Sequence, residues 1–254
     1  MAEAVQCWRE RPSSCPRLCS CGALLRNDWL MCSAGCRAEQ GLHGKPVVYA
    51  SRTGSTRNLA AMASAGIRLL ATPQQLGRYP NARPPWAYML DNGAFGEGGF
   101  QPDRFREALR LLGPDADMIV LPDIVCGGRR SLELSLDWLY RVLRVARHHV
   151  LLPVQDGMEP RDVRRYLNHP ACRVGIFVGG STDWKERTMR AWGDLAAEMA
   201  VWLHVGRVNT GRRMALAVAA GAHSVDGSSP TRFSCRAAPL AASARQGDFF
   251  RGTT

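Results

Sequence analysis

Between residues 46 and 226 one pattern recurs eight times: a short apolar run that stops at small or polar residues, followed by a polar connection. The runs are Pro46–Ser51, Ile67–Ala71, Trp86–Leu90, Asp117–Leu121, His149–Val154, Arg173–Val178, Val201–Val205 and Ala222–Val225. Most are continuously apolar rather than alternating, as strands of a parallel sheet covered on both faces must be. Helical spacing lies between them. Helices are predicted near Arg57–Ala65, over Asp103–Leu112 (Phe105, Leu109 and Leu112 on one face) and over Ser131–Arg147 (Leu132, Leu136, Leu139 and Leu143). A short basic helix carries Arg161, Arg164 and Arg165. Another opens at Asp183-Trp184-Lys185-Glu186, which has the form of a capping box, and runs to about Met199; the last spans Thr210–Ala220. The Pro-rich stretch from Pro73 to Pro85 is expected to be irregular.

Eight such alternations with no second core predict an α/β fold, a (β/α)8 TIM barrel over residues 46–235. An open doubly wound sheet fits less well, because no Gly-x-Gly-x-x-Gly turn follows the first strand. With 254 residues and 46% apolar content, the chain can fill one barrel core. No apolar run reaches the roughly 18 residues that a bilayer span needs. The N-terminus lacks the basic-then-apolar pattern of a secretion signal, so a cytoplasmic location is expected.

Residues 1–45 read differently. They hold Cys7, Cys15, Cys19, Cys21, Cys32 and Cys36, six of the nine cysteines, without steady periodicity. In a chain expected to stay in a reducing compartment, clustered thiols point to metal rather than disulfides. Cys19-x-Cys21 and Cys32-x-x-x-Cys36 form two close pairs suited to tetrahedral, structural zinc, with Cys7, Cys15 or His43 as alternative ligands and free thiols as the other reading. Residues 236–254 are a small, polar tail, either a closing helix or disordered.

The net charge is +11, almost entirely from arginine, since Lys45 and Lys185 are the only lysines. A pI near 9.7 favours a polyanionic partner, nucleic acid above all.

A barrel gathers the C-terminal ends of its strands at one mouth. Here that mouth would collect Asp91, Asp123, Gln155, Asp156, Gly179-Gly180, His204, Gly206 and Asp226. Each has a plainer reading. Asp226 before Gly227-Ser228 and Asp91 before Asn92-Gly93 are typical turn formers. Asp123 after Pro122 suits a helix cap, Gln155 a backbone partner and His204 a hydrogen-bonded core residue. Their convergence is what speaks for chemistry. Like charges sharing a cavity raise one another's pKa, so one carboxyl can stay protonated while another remains an anionic nucleophile. A carboxylate pair flanking a glycosidic bond is what double displacement with retained configuration requires.

Asp91-Asn92-Gly93-Ala94-Phe95, Pro122-Asp123, Val154-Gln155-Asp156-Gly157, Val178-Gly179-Gly180 and Val225-Asp226-Gly227-Ser228-Ser229-Pro230-Thr231-Arg232 together resemble the tRNA-guanine transglycosylases over residues 86–235. Those are barrel enzymes that exchange guanine for a 7-deazaguanine base. The resemblance implies Asp226 as nucleophile on the sugar C1′ and Asp91 as general acid/base. It implies Asp123 and Gln155 as readers of the guanine edge, Gly179 and Gly180 as backbone contacts, and His204 and Gly206 as pocket floor. Arg207, Arg212, Arg213 and Arg232 are candidate nucleic-acid contacts. The family's Asp-Ser-Gly-Gly-Phe stands here as Asp-Asn-Gly-Ala-Phe, and no Cys-x-Cys-x-x-Cys follows Asp226. The short chain and its front-loaded cysteines look more like the diverged phage and bacterial relatives that insert 7-deazaguanines, such as 7-cyano-7-deazaguanine, into DNA. DNA is therefore the expected partner and tRNA the alternative; a phage-encoded chain would act in its host's cytoplasm.

Two rivals remain. Gly179-Gly180 and Gly227-Ser228 could cradle a small phosphorylated metabolite, although Schiff-base chemistry is disfavoured because neither lysine lies at a strand end. A nucleic-acid-binding module with an inert barrel would need only the cysteines and the charge.

Overall fold

A computed structural model describes residues 46–78, 84–167 and 174–232, with residues 235, 238, 239, 241 and 242 beyond them. Eight parallel strands close into a barrel in chain order. They are β1 (Val47–Ser51), β2 (Arg68–Ala71), β3 (Tyr88–Leu90), β4 (Met118–Val120), β5 (His149–Val154), β6 (Val174–Val178), β7 (Leu203–Val205) and β8 (Ser224–Asp226). Closure is made by β8 on β1, with Val48 opposite Val225 and Tyr49 opposite Asp226. Asp226 therefore ends the last strand rather than following it.

Helix α1 (Thr56–Ser64) follows β1, α2 (Pro102–Leu112) follows β3, α3 (Gly128–Leu143) follows β4 and α4 (Pro160–Leu167) follows β5. Then come α5 (Thr182–Glu198), α6 (Gly211–Ala219) and the one-turn α7 (Ser229–Arg232). After β2 the described chain forms a 3-10 turn, Pro73–Arg78, where an irregular connection was expected.

Alternation along the strands divides the apolar residues into two layers. Val48, Ala50, Leu69, Leu90, Ile119, Val150, Ile176 and Val225 pack outward against Met62, Phe105, Leu139, Trp192 and Met214 of the helices. Tyr49, Met89, Met118, Val120, Leu151 and Trp202 fill the barrel interior, with Leu70 and Phe177 against them. Both faces of the sheet are thus dry, as the continuous apolar runs require. The filled interior is a floor, and the rim above it is the face on which barrels of this kind carry their sites.

The start of α5 departs from expectation. Its N-cap is Ser181, and Asp183 lies inside the first turn. Glu186 pairs with Arg212 and Arg213 at 2.9 and 3.0 Å instead of folding back on its own turn. The capping is supplied from another loop: the Asp156 carboxylate accepts from the Ser181 N–H at 2.7 Å and from its hydroxyl. A side chain from β5's end has taken the place that a local box would fill.

Candidate active site

Asp91, Asp123, Gln155, Gly179, Gly180, Gly206 and Asp226 all stand at or just beyond the C-terminal ends of β3, β4, β5, β6, β7 and β8, on one face of the barrel. Three carboxylates are brought together there, and each has a different environment.

Asp226 is 7% exposed. Its Oδ1 accepts from the Arg207 backbone N–H at 3.0 Å and its Oδ2 faces His204 Nε2 at 3.0 Å. Burial alone would raise its pKa, but the His204 hydrogen bond, the positive charge of that ring whenever it is protonated, the Arg207 N–H and the charge of Lys185 outweigh it and hold the carboxyl below its ordinary value. To aim that N–H, Arg207 adopts a left-handed backbone, φ 59°. Such a conformation costs a residue other than glycine on the order of 1 kcal/mol.

Asp91 is half-buried, and its Oδ2 accepts from the Gly93 N–H at 3.1 Å. Burial, followed by the charges of Asp226 and Asp123, pushes its pKa up to about 7. At neutral pH the two candidate catalytic carboxyls therefore differ: Asp226 is an anion and much of Asp91 is an acid.

Asp123 is held on both oxygens, Oδ1 accepting from Asn92 Nδ2 at 3.0 Å and Oδ2 from Gln155 Nε2. Burial raises it to about 6, against the lowering effect of those bonds and of the Arg207 charge. Gln155 is itself fixed, its Oε1 accepting from the N–H groups of Cys126 at 3.0 Å and Gly180 at 2.7 Å. Gly179 must lack a side chain for this to work: a Cβ there would fall 2.5 Å from Gln155 Nε2. The Gly180 amide expected to contact substrate is thus used to orient Gln155, which orients Asp123 in turn.

His204 is 0% exposed, with both ring nitrogens engaged by Ser224 and Asp226. It lies beneath Asp226 and presents no edge to the mouth, so its expected place as pocket floor is corrected to a place behind the carboxylate. Gly206 is also turned to the protein, its carbonyl accepting from Lys185 Nζ. Lys185, 2% exposed, comes from the first turns of α5 and reaches a strand end all the same, which the linear position of the residue concealed. Burial and then the Arg207 charge lower its pKa to about 8, while Asp226 opposes the shift. Bound to a carbonyl and shut away from solvent, it is a counter-charge rather than an accessible amine.

Four arginines were expected at the interface. Arg207 turns inward: it donates to the Gly180 carbonyl, and its guanidinium lies 4.6 Å over the ring of Phe95, which is 67% exposed. Arg212 and Arg213 share Glu186. Arg232 is exposed at the end of α7. The neighbouring Thr231 hydroxyl donates to the Ser51 carbonyl at 2.7 Å, and Asn58 donates to the Thr231 carbonyl at 2.9 Å, so part of the Pro-Thr-Arg element ties the last loop to the first.

No family model matches the chain, and no curated protein matches it.

Asn92, Ser224, Trp202 and Asn209 were not assigned roles from the sequence. Asn92 sat unremarked inside the Asp-Asn-Gly-Ala-Phe run. Lys185 had a legible signal: it shares a helical stripe with Met189 and Trp192, at i, i+4 and i+7, and a lysine on a buried stripe needs a partner. Among the described residues no group of three or more His, Cys, Asp or Glu side chains is arranged to hold a metal ion. Cys19, Cys21, Cys32 and Cys36, and with them the zinc expectation, lie outside the described residues.

Proposed function

We propose that this chain is a base-exchange transglycosylase that replaces guanine in DNA with a 7-deazaguanine. The observation that carries the reading is the split between Asp226, held anionic, and Asp91, raised to about 7, at the same barrel mouth. Two like groups pushed to opposite protonation states are what acid-assisted nucleophilic displacement needs.

In the proposed reaction the target nucleotide is flipped out of the helix into the mouth. An Asp226 oxygen attacks C1′ as the C1′–N9 bond breaks, and Asp91 gives its proton to the departing guanine. The sugar is then held as an ester of Asp226. An incoming 7-deazaguanine attacks C1′, the ester bond breaks, and the Asp91 carboxylate takes the N9 proton. Charge and protons return to their starting state, and no redox partner is required. The Asp123 carboxylate, locked by Asn92 and Gln155, offers an acceptor to the N–H edge of a guanine-like base.

The rim supports a polyanionic substrate. Arg57, Arg129, Arg130 and Arg232 are exposed within helices α1, α3 and α7, close behind β1, β4 and β8, and make no ion pair with a described residue. The resemblance to the DNA-modifying branch favours DNA over tRNA. The small-phosphate reading loses support, because the amides it needs are already used. Gly180 N–H donates to Gln155, Ser181 N–H to Asp156 and Gly227 N–H to the Tyr49 carbonyl, while the Ser228 and Ser229 N–H groups donate to Asn209.

Labelled guanine incubated with the protein and either duplex DNA or tRNA tests the proposal. Label is expected in DNA, and Asp226→Asn is expected to lower incorporation at least ~1,000-fold, as loss of a nucleophile does, while DNA binding persists. Label in tRNA alone would reassign the substrate. No label in either polymer, with 7-deazaguanines also tried, would contradict the reading.

A further inference from the structure

The nucleophile candidate is supported from below by a directional chain of hydrogen bonds. Trp202 Nε1 lies 2.8 Å from Ser224 Oγ, and an indole nitrogen can only donate. Ser224 Oγ is also 2.8 Å from His204 Nδ1, and the other acceptor near it is the Met118 sulfur at 4.0 Å. Having accepted from Trp202, the hydroxyl has one proton to give, and Nδ1 is the nearer and stronger acceptor. The imidazole then carries its hydrogen on Nε2, 3.0 Å from Asp226 Oδ2. An imidazolium would need to drive the Ser224 proton onto the distant sulfur. The ring is clamped as well, stacked on Phe177 at 5.0 Å and 12° and flanked by Tyr49 at 6.2 Å.

We infer that His204 is a positioning residue for Asp226, kept as the neutral Nε2–H tautomer by Ser224 and Trp202. A neutral donor fixes the carboxylate without cancelling its charge, so orientation is gained while nucleophilicity is kept. The charged and titratable groups facing this pair are few. The Lys185 charge from α5 acts on Asp226, Arg207 after β7 reaches it through its backbone N–H, and Asp91 after β3 repels it. Tyr49 turns its hydroxyl to Asp117 at 3.1 Å, away from the chain. The inference concerns Asp226 whatever it attacks; only its kinetic consequence rests on the transglycosylase reading.

The test uses the full chain with 13C-labelled aspartate, the Asp226 resonance assigned by Asp226→Asn, and 15N-labelled histidine. In the wild type, His204 should show one protonated and one bare nitrogen at pH 7, where Asp226 should be ionised. His204→Phe keeps the ring and its stack but removes the donor. It should raise the Asp226 titration, as burial without a partner does. The same variant should lower the exchange kcat ~100-fold with KM for DNA little changed, the scale of one lost hydrogen bond to a reacting oxygen. His204→Gln, which restores a side-chain N–H, should recover much of both. Ser224→Ala, a mild change, should shift the ring proton toward Nδ1. An unchanged Asp226 titration in His204→Phe, or two protonated nitrogens in the wild type at pH 7, overturns the inference. Should His204→Phe fail to fold, an unaltered 15N pattern in Ser224→Ala overturns it equally. Expected titrations without base exchange would instead uphold the role of His204 and reject the transglycosylase reading.

Discussion

Asp91 and Asp226 have the same side chain and the same barrel mouth, and their neighbours alone separate them. Asp91, raised to about 7, must be protonated to release guanine, and Asp123, raised to about 6, must be ionised to accept from the base edge. A kcat/KM profile for DNA should therefore be a narrow bell with limbs near 6 and 7. Asp123→Asn should remove the acid limb, and a profile flat from pH 5 to pH 9 would refute both assignments. The Asp91 shift also has a stability consequence. Its folded pKa lies above the unfolded value of about 3.9, so the folded state binds more protons between those values. Stability then falls as pH rises toward 7, and the cost of the buried anion persists above it. Asp91→Asn should raise the melting temperature by roughly 3 °C at pH 8, where one kcal/mol is worth about 2–4 °C in a domain of this size, and by less at pH 5. Both aspartates were legible because each ends an apolar run. Asn92 and Ser224 were not, because small polar residues make their contribution through partners far along the chain, Asp123 at 31 positions and His204 at 20.

At the scale of elements, the loops are wired to one another rather than each to itself. Asp156 of the β5 loop caps α5, and Asn209 of the β7 loop accepts from Ser228 N–H at 2.7 Å and Ser229 N–H at 3.3 Å, starting α7 immediately after Asp226. Asn209→Ala would leave these donors without their partner, a loss of about 1–2 kcal/mol. It should lower the melting temperature by roughly 2–8 °C, measured by thermal unfolding, on the 2–4 °C per kcal/mol scale. An unchanged melting temperature would mean that α7 is held mainly by Thr231 and Pro230. This wiring explains what the sequence hid. Strands and amphipathic helices are local patterns and were placed to within a few residues. A cap supplied by a neighbouring loop leaves no local trace, so Asp183-Trp184-Lys185-Glu186 looked like a capping box while Asp156 did that work. The four-residue α7 is too short for periodicity to reveal.

For the molecule as a whole, the closed barrel decides which distant residues meet. Eight apolar runs in a parallel order could be recognised as a barrel because the open doubly wound alternative would carry a Gly-x-Gly-x-x-Gly turn after the first strand, and none is present. Closure of β8 on β1 then brings Asp226 to the rim where Asp91 and Asp123 also stand. The same topology sets exposed Arg57, Arg129 and Arg130 in the first turns of α1 and α3, and Arg232 at the end of the short α7, around that rim, matching an overall charge of +11. No helix among the described residues is long and apolar enough to cross a membrane. The most direct measurement of the central claim is capture of the covalent state. The protein is mixed with a guanine-containing DNA oligonucleotide in the absence of incoming base, quenched in denaturant and digested, and the peptides are weighed. The expected result is a deoxyribose-linked adduct on the peptide containing Asp226, lost in Asp226→Asn and discharged when a 7-deazaguanine is added before the quench. Base exchange proceeding with no adduct, or with an adduct on another residue, would contradict it.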